Sequence, residues 1–171
     1  VVNTMKNWRK ALDAGCFVDN HQNYSWQEAQ PALINGEAAM YLMGNFLVPN
    51  LPKETQDNLD YWQFPDINPG MARGEDAPTD LMFMPANAQN KDNARKFLEF
   101  AAQAEIIEAI GKALQQLPTH KDSATMDDRF LKKGAKVLAA SKTAQFYDRD
   151  TTPEMASAGM QGFQDFMLNP D

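Results

Sequence analysis

Two short runs and one isolated carboxylate carry the side chains suited to holding a small polar ligand. Phe46 stands two positions after Gly44. A ring that follows a glycine turn can present its flat apolar face to a ligand; the other reading of Phe46 is a core residue after a buried strand. Asn45 offers donors and acceptors beside that face, or a cap after Gly44. Asp148 and Arg149 place a carboxylate next to a guanidinium. Together they suit the vicinal hydroxyls of a sugar, whereas an exposed pair with each other contributes almost nothing. Tyr147, just before them, can stack or can cover the core. Asp80 falls at a loop-to-strand junction, where a buried carboxylate would need a partner such as a hydroxyl. Asp150 reads instead as part of the capping of the helix after it.

Catalytic chemistry has no comparable support. His21 and His120 have no Cys or His at metal-ligand spacing, and both read as loop or surface histidines. Cys16 follows a helix without an obvious base, so a reactive thiol is not expected. No GxSxG and no phosphate-binding GxxxxGK[ST] occurs. Asp127-Asp128 and the Asp148/Asp150 pair lie in polar stretches and read as solvated carboxylates. No metal ligands, cofactor or catalytic residues are assigned. Most of the ten methionines are expected on helical core faces, where they fill gaps.

The elements that must position these residues are mostly helices. Met5, Trp8 and Leu12 share one face of a helix over Thr4 to Ala14, and Gly15 stops it. Ser25 and Glu28 form a capping box for a helix running towards Ile34, which Pro31 kinks or divides. Asn35-Gly36 ends it. Ala38–Leu42, Asn58–Phe64 and Leu81–Met84 read as short strands, and Ile67 to Asp80 as a Pro/Gly-rich loop. Asn90 caps a helix with Ala94, Phe97, Leu98 and Ala101 inside. A second runs through Ile106, Ile107, Ile110 and Leu114, broken at Leu117-Pro118. Met126 to Ala140 is a further helix. Thr152-Pro153-Glu154 is N-cap, first-turn proline and first-turn acid of the last, with Met155, Gly159, Phe163 and Phe166 along one side.

Composition excludes several classes. The 171 residues carry a net charge of −7 with no basic patch, a poor basis for binding nucleic acid or an anionic membrane. No apolar run approaches the ~18 residues of a membrane span. A single cysteine rules out an intrachain disulfide and leaves the redox compartment open. Val1-Val2 is not a translation start, so the chain is expected to be a fragment or a processed product.

Four segments carry a resemblance. Asn35 to Phe46, NGEAAMYLMGNF, is similar to the NGxAAMxxxGxW signature of the extracellular solute-binding proteins of ABC transporters, the mostly sugar-binding family 1. Ala86 to Phe100 resembles the family's xNAxNKxxAxKFLxF helix. Gln116-Leu117-Pro118 resembles its GxLP segment, and Ala144 to Pro153 its late loop. Their order matches over almost the whole chain. In the family the aromatic after the glycine stacks on a sugar. This chain has Phe46 where Trp is usual, a smaller face without an N–H donor.

The resemblance implies an α/β fold: the helix-rich second lobe of a two-lobe, type II periplasmic-binding-protein fold, truncated at both ends. Residues 1–79 would open that lobe, 80–116 would cross the hinge and pack on the first lobe, and 117–171 would complete the second. Phe97 and Phe100 would then face the missing N-terminal lobe. The implied function is capture of a sugar or oligosaccharide between lobes, through Gly44, Asn45, Phe46, Asp80, Tyr147, Asp148 and Arg149. Hinge closure would then deliver it to the permease subunits of an ABC importer. The implied location is periplasmic or extracellular, with or without a lipid anchor. The alternatives are a carbohydrate-active enzyme domain using Asp80 and Asp148, or a helical interaction module.

Overall fold

The computed structural model describes residues 1–170. The first helix, α1 (Val2–Asp13), ends where Gly15 takes a φ of +64°, a left-handed conformation open to a residue without Cβ. A 3-10 turn at His21–Asn23 comes next. The capping box then forms with both its bonds: the Ser25 amide donates to Glu28 Oε2 at 2.8 Å, and the Glu28 amide to Ser25 Oγ at 3.3 Å. Ser25 holds the Glu28 carboxylate below its usual range through those bonds. No long helix comes of it. Residues 26–29 form turns, and α2 (Gln30–Ile34) begins afresh with Pro31 in its first turn. Pro31 lacks the N–H that would join the two pieces. Gly36, with φ +76°, ends α2 as expected.

A second 3-10 helix spans Asn45–Asn50 and α3 spans Lys53–Asn58. The second half contains α4 (Lys91–Ala101), α5 (Ala104–Leu114), α6 (Arg129–Ala139) and α7 (Pro153–Leu168). The Asp128 carboxylate accepts the amides of Phe130 and Leu131, both at 2.9 Å, so it is the N-cap of α6 and not an idle solvated acid. Thr152 caps α7 through the Met155 amide at 3.3 Å, with Pro153 at the first helical position.

The described residues hold one sheet, of two strands. β1 (Gly74–Asp76) pairs in parallel with β2 (Lys142–Ala144), Glu75 opposite Thr143. The helix-rich architecture is as expected, but the strands are not those expected. None of 38–42, 58–64 and 81–84 joins a ladder, and β1 lies inside the stretch read as loop. Residues 61–64 still alternate, with Tyr61 and Gln63 turned inward and Trp62 and Phe64 exposed. What holds them is side chains: Tyr61 Oη donates to the Phe130 carbonyl at 2.9 Å, and Gln63 Nε2 to Glu75 and Ser141. Leu81 and Phe83 are about four-fifths exposed and belong to no core.

The chain divides into two compact units. One comprises Val1–Met43, Leu51–Thr55 and the segment from Tyr147 on. An aromatic cluster joins its helices: Trp8 of α1 stacks on Phe17 and meets the edge of Phe163 of α7, and Phe17 stacks on His21. His21 is therefore part of that cluster and not a surface residue, its Nδ1 3.0 Å from the Val18 carbonyl. Met155 and Met160 of α7 are exposed, as are Met40, Met71 and Met82 elsewhere, so these five do not fill gaps on core faces as expected of most methionines.

The other unit comprises Gly44–Asn50 and Gln56–Phe146. Its core includes Leu47 and Val48 of the 3-10 helix, Ala101 of α4, and Phe130 and Leu131 of α6. Arg129 donates to the carbonyls of Gln56 and Leu59, at the C-terminal end of α3, and lies 4.1 Å over the Phe130 ring. Phe97, expected on the inner face of α4, is exposed beside Phe100. Both were also the residues expected to face a missing lobe.

Candidate functional site

Gly44 opens the 3-10 helix, its carbonyl accepting the Leu47 amide at 3.1 Å. It is not among the glycines with positive φ, so a sharp turn is not what requires it. The requirement is space: the half-buried Phe46 ring folds back over it, and a Cβ at position 44 would stand 2.7 Å from Phe46 Cε1. The ring is thus seated on backbone, and the next two residues, Leu47 and Val48, go into the core. The Asn50 side-chain amide closes this turn on the Phe46 carbonyl at 2.9 Å.

Asn45 is exposed as a residue, yet its amide reaches α6. A Cβ on Gly134 would meet Asn45 Nδ2 and Tyr61 Oη, each at 3.2 Å. A bare helix backbone at Gly134 lets both polar groups approach. Neither Tyr61 nor Gly134 was singled out from the sequence. The signal that was there is an isolated glycine inside a strongly periodic helix, a mark of close approach. Burial pushes the Tyr61 phenol up to about 12, with the charges of Asp60, Glu75 and Asp128 adding to it. Lys133, paired with Asp60 at 2.8 Å and 5.0 Å from the centre of the Tyr61 ring, holds the Asp60 carboxyl below its usual range; the Tyr61 amide helps. Asp80, in the same unit, is exposed and not the buried carboxylate expected.

The late loop is built in a similar way. The Tyr147 ring rests on Gly159 of α7, where a Cβ would stand 2.7 Å from Tyr147 Cε1. Its hydroxyl donates to the Met155 carbonyl at 2.9 Å. Its carbonyl accepts the Asp150 amide and the Thr151 hydroxyl, which closes the loop over 147–151. Tyr147 remains about half exposed, so one face is held by the helix and the other is open. Asp148 and Arg149 are exposed on the loop so formed.

The site residues expected from sequence thus fall into two sets. Gly44, Asn45, Phe46 and Asp80 belong to one unit, and Tyr147, Asp148 and Arg149 to the other. Apart from these sets, an open hollow of about 240 Å³ lies along residues 63–75, where Arg73 grips Asp66 with two bonds of 2.7 and 3.1 Å. Among the described residues no group of three or more His, Cys, Asp or Glu could hold a metal ion, and no helix is long and apolar enough to cross a membrane.

The model of the bacterial extracellular solute-binding protein family matches residues 3–107. The chain belongs to that family. The match takes in α1, the Asn35–Phe46 stretch, β1, α4 and the start of α5. Curated relatives agree. An uncharacterised ABC transporter extracellular-binding protein of Pyrococcus horikoshii is 31% identical over 126 residues, 72% of this chain and 28% of the relative. Proteins of Brucella abortus and Brucella suis described as binding proteins are 29% identical over 123 residues, 71% of this chain and 30% of theirs. The chain therefore spans about three tenths of the length of the curated relatives it matches. No solved structure matches it significantly.

Proposed function

We propose that this chain is the C-terminal part of a two-lobe, type II binding protein that captures a sugar or oligosaccharide and delivers it to an ABC importer. Residues 1–79 and 117–171 belong to the second lobe, and 80–116 cross to the first. The protein acts by binding and hinge closure, not by catalysis, in the periplasm or at the outer cell surface. Its partners are the solute and the permease subunits. The observation that carries the reading is the family match over residues 3–107, which includes the aromatic seated on a glycine at Phe46 and Gly44.

Chemistry supports the sugar. A sugar has apolar C–H faces and a rim of hydroxyls, so a site for it combines a fixed ring with charged hydrogen-bonding groups. Phe46 and Tyr147 are rings held against backbone, Asn45 lies beside the first, and Asp148 and Arg149 beside the second. Asp80 completes the proposed set. The exposed side chains of Leu81, Phe83, Phe97 and Phe100, all within 80–116, support a crossing segment whose apolar side packs on the other lobe.

Titration calorimetry of the two-lobe protein tests this, with a panel of mono- and oligosaccharides set against amino acids and peptides. Tight binding confined to the saccharides is expected. Binding confined to amino acids or peptides would overturn the sugar and leave solute capture standing. No binding of any solute would overturn both.

A further inference from the structure

Asn35-Gly36 is the only Asn-Gly pair in the chain. It sits at the C-terminal end of α2, where Asn35 is the capping residue and both residues are exposed. We infer that this turn is a site of spontaneous chemical modification, where Asn35 loses ammonia and becomes aspartate or isoaspartate. Deamidation requires the backbone nitrogen of the next residue to reach the side-chain carbonyl carbon. Three features of the turn allow it.

First, the attacking nitrogen belongs to glycine, and the space around it is open: nothing lies within 4 Å of where a Gly36 Cβ would stand. No side chain at position 36 shields the carboxamide. Second, the Gly36 amide is held only by a 3.3 Å bond to the Leu33 carbonyl, beyond the usual N–H···O range. Third, the Asn35 carboxamide takes no hydrogen bond among the described residues, so it is free to rotate towards that nitrogen. The opposing term is the backbone. Asn35 has φ −84° and ψ −4°, and ψ must rotate to bring nitrogen and carbon together. α2 has only 5 residues, so the fraying that permits this rotation disrupts little else.

The atoms balance with water as the only co-reactant. The Gly36 nitrogen gives up its proton and bonds to Asn35 Cγ. The Cγ–Nδ2 bond breaks, and ammonia leaves with that proton. Water then opens the cyclic imide. Cleavage at Cγ yields aspartate; cleavage at the α-carbonyl yields isoaspartate, with an extra methylene in the main chain. Either product puts a carboxylate at the C-terminal end of α2, beside Glu37, where the helix dipole disfavours it. Isoaspartate also lengthens the turn that the Ala38 amide closes on the Ala32 carbonyl at 2.9 Å.

Peptide mapping tests the inference. The folded two-lobe protein is aged in mildly alkaline buffer, digested, and read with a fragmentation method that separates aspartate from isoaspartate. Asn35 should convert at least about tenfold faster than the other asparagines, a barrier lower by about 1.4 kcal/mol. Isoaspartate should exceed aspartate there. Gly36→Ala should remove the excess. Because that variant strains a left-handed position, the wild-type chain aged in urea serves as the second measure. Conversion at Asn35 in the folded chain within about tenfold of the unfolded rate supports the site. Conversion in the folded chain more than about tenfold slower than in urea would show that the Leu33 bond protects it, and would overturn the inference.

Discussion

Phe46 and Tyr147 belong to different units and solve the same problem by different means. Each ring rests on a glycine where a Cβ would stand 2.7 Å from a ring carbon. Phe46 is held by its two successors in the chain: Leu47 and Val48 are buried, and the 3-10 helix fixes the ring as a by-product of core packing. Tyr147 is held by its own hydroxyl on the Met155 carbonyl and by a loop that closes on its own carbonyl. Hence Phe46 should be sensitive to the core around it, and Tyr147 to one hydrogen bond. The shared lesson is that a glycine can be required for the ring it supports and not for its own backbone angles.

The largest effect should separate ring from core. Leu47→Ala should cost about 2–5 kcal/mol of stability, because Leu47 is 5% exposed and its removal leaves a cavity. The half-buried Phe46, changed to Ala, should cost clearly less. Urea unfolding of both variants measures this. Equal losses would make Phe46 a core residue and erase the contrast.

Next comes binding. In the two-lobe protein, Phe46→Ala should weaken saccharide binding by about 1–3 kcal/mol, the scale of losing a buried aromatic contact. Calorimetry with the best ligand of the panel decides it. Unchanged affinity would remove Phe46 from the site.

The Tyr147 side of the contrast is smaller. Tyr147→Phe keeps the ring on Gly159 and deletes only the bond to Met155, so a loss of about 0.5–1.5 kcal/mol is expected. Gly159→Ala should change stability by less than about 1 kcal/mol, because better helix propensity offsets the displaced ring. Near-ultraviolet circular dichroism should nonetheless report the moved tyrosine. An unmoved tyrosine signal in Gly159→Ala would show that the ring does not rest there.

The last effect is confined to alkaline pH. The Tyr61 phenol is raised to about 12 in the folded chain, against about 10 in an unfolded one. A raised value means that the folded state binds the proton more tightly. The contribution is therefore complete below pH ~10 and is lost as pH rises through about 12. Tyr61→Phe should abolish that part of the pH dependence, read by denaturant melts across the window. A phenolate absorbance that titrates near 10 in the folded protein would contradict the burial of Tyr61 beside Asn45.

Chain punctuation was legible because its physics is local. Gly15 and Gly36 end their helices with positive φ, Ser25 and Glu28 make both capping-box bonds, and Thr152 with Pro153 starts α7. The family was legible for a related reason: the Asn35–Phe46 stretch is contiguous. The strands were not, because a strand is defined by a ladder partner. β1 finds its partner in residues 142–144, and nothing within 74–76 announces it. The role of Asp128 was hidden because a capping carboxylate and a solvated one look alike until the helix it caps is in place.

By itself the sequence determined the helical framework, its stops and caps, the absence of an intrachain disulfide, and membership of a solute-binding family. These rest on backbone preferences and short spacings that act before any distant residue arrives. The tertiary structure alone decided which apolar residues are core and which are exposed. It also decided which side chains stand against Gly44, Gly134 and Gly159 and where Tyr61 and Asn45 direct their polar groups. Most of these depend on a neighbour far away in the chain, brought within van der Waals contact only by packing, and no local preference encodes such a neighbour.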